Sequence, residues 1–329
     1  MSQLFEKVLQ VNVYLQPVLF CLSVIANTLN IYVLSSRALR SSPCTHYFIA
    51  CAVFCIIYTT LVCPLNFARG FSIDWVNTPI GCKMHTYFAF LTPLLARVML
   101  VLASFDRYCS SSQSPRLRST STVRRGRLLI IITTILCIIY ISPMLAMYYL
   151  KEPSGICMQY SNLLISIYVF SQIIIYYVSL HLLMIIFGLL TISNTRQHIT
   201  RIGPQLDVVR GRRTEKQLTR MLLLQISVHL VLTIPFGVIY SMNAFDPSTR
   251  TPNNRAVRNI LFMWQQCDYF VSFFLYVLSG SVYRKELAHI LKFIKHPNQS
   301  LCQFTNQQIE TTPALPTADS TLSVMTRKE

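Results

Sequence analysis

The sequence predicts an all-α membrane protein, a bundle of seven transmembrane helices followed by a short amphipathic helix. Composition is the first reason. Of the 329 residues 53% are apolar and only 12% are charged, against about 25% charged in soluble domains. The second is that the apolar residues come in long continuous blocks rather than at amphipathic spacing. The third is that basic residues gather in alternate loops, the bias that orients multi-pass proteins.

The spans read, in order, Asn12–Leu34, Cys44–Phe67, Lys83–Tyr108, Leu128–Tyr149, Leu163–Thr191, Leu218–Tyr240 and Val257–Leu278. Each is long enough to cross about 30 Å of hydrocarbon as a helix. Transmembrane strands would show alternating apolar positions over about 10 residues, and these runs are continuously apolar. Residues 1–11 form a short outer N-terminus, 12–280 the membrane domain, 281–296 an amphipathic surface helix and 297–329 a disordered cytoplasmic tail. The first apolar run lacks a basic flank and a small-residue cleavage site, so it is expected to act as an uncleaved anchor.

Arg37 and Arg40 follow the first span. Arg116, Arg118, Arg124, Arg125 and Arg127 follow the third, Arg196 to Lys216 the fifth, and Arg284 to Lys295 the seventh. The opposite loops mix fewer bases with Asp74, Glu152 and Asp246. This places the N-terminus outside and the C-terminus in the cytoplasm of a multi-pass plasma-membrane protein. The formal charge of +17 therefore needs no nucleic acid; the bilayer is the expected partner. Among the 11 cysteines, Cys82 and Cys157 are the two in outer loops. A disulfide between them would tie the third helix to the loop after the fourth. Cys302, beyond the amphipathic stretch, is either a palmitate acceptor or a plain thiol.

Asp106-Arg107-Tyr108 closes the third span and opens a basic, Ser-rich loop. An arginine there needs a partner or a water-facing task. With the other landmarks, the chain resembles a rhodopsin-like G-protein-coupled receptor over nearly its whole length. Asn27 matches the first-helix asparagine, Trp75 precedes Cys82, and Cys82 and Arg107 keep the family's spacing. Pro235 matches the sixth-helix proline. Ser272-Phe273-Phe274-Leu275-Tyr276 resembles a degraded Asn-Pro-x-x-Tyr element, and Tyr283-Arg284-Lys285-Glu286-Leu287 the start of the surface helix.

The resemblance implies roles. Arg107, held locally by Asp106, would couple to a heterotrimeric G protein, with Tyr108 completing the triplet. Glu215, at the foot of the sixth helix, would latch Arg107 at rest; the alternative is a solvated charge. Tyr276 would swing inward on activation, and Pro235 would act as the helix pivot. The Ser- and Thr-rich loop and tail would recruit an arrestin-like regulator when phosphorylated. No cofactor, metal set or enzyme motif is expected.

The departures are as informative. The second helix has no acidic residue, the fourth no tryptophan, and the fifth no proline within Tyr176–Phe187. Thr233 stands where the sixth helix usually has tryptophan, and Phe273 replaces the seventh-helix proline. Arg97 lies about 15 Å from Arg107 by helical rise, near mid-membrane, where a charge costs at least about 2.5–3.5 kcal/mol. Asp268 lies at comparable depth. The expectation is a buried Arg97–Asp268 pair that His229 also reaches, forming a polar relay; the alternative is that Arg97 binds carbonyls and water with no switching role.

Ala89 occupies the position of the amine receptors' aspartate, which argues against a monoamine. Gln266 replaces the opsins' lysine, which excludes covalent retinal. Phe88, Ala89, Trp264 and Gln266 are the ligand-pocket candidates. Such a pocket suits an extracellular peptide or small molecule, best a short neuropeptide, and the resemblance leans towards the invertebrate peptide receptors, the FMRFamide-like group among them. The other readings are a degraded or partner-dependent receptor and a channel or transporter; no internal repeat of the transporter type is visible.

Overall fold

The computed structural model describes residues 3–37, 39–71, 75, 78–151, 156–160, 162–201, 209–249 and 251–295. The chain runs α1 (Gln3–Leu34), α2 (Pro43–Gly70), α3 (Pro79–Ser111), α4 (Pro115–Arg118), α5 (Val123–Ile141), α6 (Met144–Met147), β1 (Tyr148–Lys151), β2 (Ile156–Gln159) and α7 (Leu163–Ile173). A π-helical turn (Ile174–Ser179) joins α7 to α8 (Leu180–Arg201). Then come α9 (Val209–Phe245), α10 (Pro252–Gln266), α11 (Asp268–Ser279) and α12 (Ser281–Lys295). Among the described residues 6 helical stretches are long and apolar enough to cross a bilayer. The seventh span is α10 with α11, divided at Cys267, and its first turns carry Asn253, Asn254, Arg255 and Arg258. The tail expected over 297–329, with Cys302, lies outside the described residues.

Side-chain caps set several starts. Thr78, Thr122, Asn162 and Thr251 accept bonds from the backbone N–H groups of Gly81, Arg125, Ile165 and Asn254, donors that no helical carbonyl can reach. Gly81 has a second reason to be glycine: a Cβ there would collide with the Trp75 carbonyl oxygen. Helices α1 and α9 begin ahead of the apolar blocks read as spans. Hydropathy marks the hydrocarbon, whereas the hydrogen-bond ladder continues into polar sequence.

α3 is the most buried span and packs against α2, α5, α8 and α9. α5 lies at the periphery, with only Gly126 and Ile141 buried. Its Ile131, Ile135 and Leu136 face outward, as a lipid-facing helix must. Strands β1 and β2, which hydropathy does not foretell, pair antiparallel with Leu150 opposite Cys157. Packing divides the chain into Met1–Glu286 and a separate unit, Leu287–Glu329.

Candidate functional site

α3 carries Asp106, Arg107 and Tyr108 to one end of the bundle. The Arg107 side chain is only 1% exposed. Its Nη2 donates to Asp106 Oδ2 at 2.8 Å and to Ser42 Oγ, in the turn before α2, at 3.0 Å. The other Asp106 oxygen accepts from Ser121 Oγ at 2.6 Å. The carboxylate thus ties the arginine to the turn ahead of α5. One residue on, the helix has rotated about 100°. Tyr108 stacks on Phe187 of α8 at 5.9 Å, and Phe105 meets the same ring at 5.3 Å.

Glu215 lies on α9, but its side chain falls outside the described residues. Two glutamines tie α9 to its neighbours at this end. Tyr276 donates its hydroxyl to Gln225 Oε1 at 2.5 Å. Gln217 Oε1 accepts from the Val282 N–H at 2.9 Å and from Ser281 Oγ at 3.4 Å. The Val282 N–H belongs to the first turn of α12, whose donors lack helical acceptors, so α9 caps α12. Gly280 makes the approach possible: a Cβ there would stand 2.6 Å from Gln217 Nε2 and 2.8 Å from the Tyr276 carbonyl oxygen. Asn30 of α1 braces the same corner, accepting from Tyr283 at 2.7 Å and donating to Ser272 at 3.2 Å. Asn27 donates to the Tyr269 carbonyl at 2.6 Å.

Midway up the bundle, Arg97 is 3% exposed. Its guanidinium carbon lies 3.9 Å from the Tyr176 ring centroid and 5.5 Å from that of Tyr177. Both tyrosines belong to the π-helical turn. Such widened turns recur at functional sites. A desolvated cation over an aromatic face gains about 2 kcal/mol or more. Asp268 is hydrogen-bonded to His229 instead, Oδ2 to Nδ1 at 2.7 Å. Among the described residues no ion pair joins Arg97 to Asp268, and Arg97 Nη1 has no hydrogen-bond partner. Asp268 opens α11, where the helix dipole favours a carboxylate.

His181 of α8 extends the cluster. Its ring stacks on that of His229 at 5.3 Å, and its Nε2 meets Thr233 Oγ1 at 2.9 Å. Thr233 gives its own proton to the His229 carbonyl at 2.7 Å. The hydroxyl must then accept from His181, which fixes the Nε2–H tautomer. α8, α9 and α11 are thereby joined through His181, Thr233, His229 and Asp268. His181 has no place in the sequence expectation, because a lone histidine in an apolar run carries no local signal.

At the opposite end Cys82 and Cys157 form a disulfide with Cα atoms 5.5 Å apart, which pins β2 to α3. Tyr149 and Tyr160 stack at 4.1 Å beside it. The ligand-pocket candidates Phe88, Gln266 and Trp264 have described contacts. Phe88 packs edge-on against Tyr87, and Ala89 is half-buried on the same turn. Gln266 is buried and accepts from Gln16 Nε2 of α1 at 2.9 Å. Trp264 is 47% exposed and donates its indole N–H to the Val231 carbonyl of α9 at 3.4 Å.

Residues 26–276 match the family described as 7 transmembrane receptor (rhodopsin family). The chain belongs to that family. No curated protein matches the receptor in sequence. The matched segment starts beside Asn27 and ends at Tyr276, and it contains the Asp106-Arg107-Tyr108 triplet, Pro235 and the Arg97 cluster. Three polar residues bonded to Arg107, Val282 and Tyr276 escape a reading of the receptor's sequence. Ser42, Gln217 and Gln225 stand in no motif, and their partners lie on distant segments.

Proposed function

We propose that this receptor sits in the plasma membrane with its N-terminus outside, binds a short peptide at the Cys82 end and activates a heterotrimeric G protein at the Arg107 end. The observation that carries the reading is Arg107, buried at the foot of α3 and tied to Asp106 and Ser42. A guanidinium held by bonds that can be exchanged suits a two-state element. At rest α9 is kept inward by Gln225–Tyr276 and Gln217–Val282, with Glu215 a further latch on Arg107. Ligand binding biases α9 outward about Pro235, Tyr276 leaves Gln225, and Arg107 becomes available to the G protein. The chain Asp268–His229–Thr233–His181 couples the two ends, since it joins the three helices whose relative positions must change. An arrestin-like regulator reads the phosphorylated loop and tail.

A peptide is favoured over an amine by Ala89, which offers no carboxylate, and over retinal by Gln266, which offers no amine. The test is G-protein recruitment in cells, screened across short amidated peptides, with Arg107→Ala alongside. Recruitment by one peptide family, lost in the variant, is the expected result. Silence from receptor present at the surface would overturn the peptide reading.

A further inference from the structure

The outer seam between α8 and α9 holds a cleft that the signalling reading does not use. Its volume is about 420 Å³, and Ile192, Thr195, Arg220, Leu223, Leu224 and Ser227 line it. It lies where two apolar blocks end together in the sequence, Leu163–Thr191 and Leu218–Tyr240. Helical period decides which way it faces. Leu218, Met221, Leu222 and Gln225 are buried in the bundle, so Arg220, Leu223, Leu224 and Ser227 point away from it. Gly188 of α8 lets Leu223 approach closely: a Cβ there would stand 3.3 Å from Leu223 Cδ2. The result is a largely apolar track that faces away from the bundle, with one charge, Arg220, along it.

That charge is exposed, and Arg220 bonds to no other described residue. A guanidinium unpaired among the described residues, along a largely apolar track, matches one occupant, a lipid with its chain in the track and an anionic headgroup on the charge. Arginine holds phosphate oxygens bidentately, and each base near an anionic leaflet gains about 1 kcal/mol. In sequence the stretch between the two apolar blocks carries Arg196, Arg201, Arg210, Arg212, Arg213 and Lys216 against Asp207 and Glu215.

We propose that the α8–α9 cleft is a binding site for an anionic glycerophospholipid, its acyl chain against Leu223 and Leu224 and its phosphate on Arg220. Assigning the lipid to the cytoplasmic leaflet rests on the orientation proposed above; the site itself does not.

Native mass spectrometry of the intact receptor in detergent tests it, with phosphatidylserine and phosphatidylcholine titrated separately. No peptide or G protein is present, so the outcome is independent of the signalling reading. The wild-type receptor should retain phosphatidylserine about tenfold more tightly than phosphatidylcholine, about 1.4 kcal/mol. Arg220→Gln should lower phosphatidylserine to the phosphatidylcholine level. Ser227→Phe, which fills the track and keeps the charge, should weaken both lipids. No headgroup preference in the wild type, or a preference that survives Arg220→Gln, would overturn the proposal.

Discussion

Trp264 donates its indole N–H to the carbonyl of Val231, the one backbone acceptor that Pro235 leaves without its helical donor. Proline has no N–H, so the carbonyl four residues earlier in α9 loses its ladder partner. At mid-membrane no water can take that place. A tryptophan on the next span supplies the bond from outside the bundle, which accounts for its exposure. The proline-containing turn of the sixth span is therefore hydrogen-bonded to the seventh.

This joint makes a double-mutant prediction. Trp264→Phe should destabilise the detergent-solubilised receptor by about 0.5–1.5 kcal/mol, read as a lower midpoint of thermal unfolding. In a Pro235→Ala background the same substitution should have little effect, because the alanine brings back the missing backbone N–H. Equal effects in both backgrounds would show that the indole acts through packing alone.

The fold was legible because its cause is crude: continuous apolar blocks and basic alternate loops need no tertiary information. The Asp106–Arg107 contact was legible because the two residues are neighbours. The carboxylate facing Arg97 was harder. Sequence offered Asp268 as the group at matching depth, yet several side chains converge there. His229 takes the hydrogen bond while two tyrosines of the π-helical turn take the guanidinium. A widened turn in the fifth span leaves no mark in hydropathy. Gln217 was invisible for the same kind of reason: its partner is a backbone N–H at the start of α12, and backbone donors have no sequence signature.

The ties on α9 should restrain activity. Gln225→Leu removes the acceptor of the Tyr276 hydroxyl and keeps an apolar group of similar length in the core. If the bond stabilises the resting arrangement by about 1 kcal/mol, ligand-free G-protein recruitment should rise up to about fivefold while the resting state predominates. Gln217→Ala should act in the same direction by freeing the Val282 N–H. A fall in basal recruitment at unchanged surface level would show that these bonds belong to the active state instead.

Gly280 should tolerate no side chain. Its Cβ position lies 2.8 Å from the Tyr276 carbonyl oxygen and 2.8 Å from Tyr283 Cβ, neither of which is the free end of a flexible chain. Gly280→Ala must shift the junction of α11 and α12, at a cost of about 1–3 kcal/mol for overpacking. A lower unfolding midpoint is expected. An unchanged midpoint would mean that the junction relaxes freely.

The mid-membrane cluster allows a test of which base Asp268 neutralises. Removing one partner of a buried pair leaves a charge uncompensated, typically at about 3–5 kcal/mol, so Asp268→Ala should sharply reduce surface expression. Its bonded partner is His229, at 2.7 Å, but an imidazole can become neutral by losing a proton, whereas a guanidinium cannot. The obligatory charge is therefore that of Arg97, even though its closest contact is the Tyr176 ring. In the Asp268→Ala chain, Arg97→Leu should restore expression substantially and His229→Leu should restore much less. Rescue by His229→Leu alone would show that the histidine is held protonated and that Asp268 serves it. In that case the tyrosines of the π-helical turn would be sufficient company for the arginine.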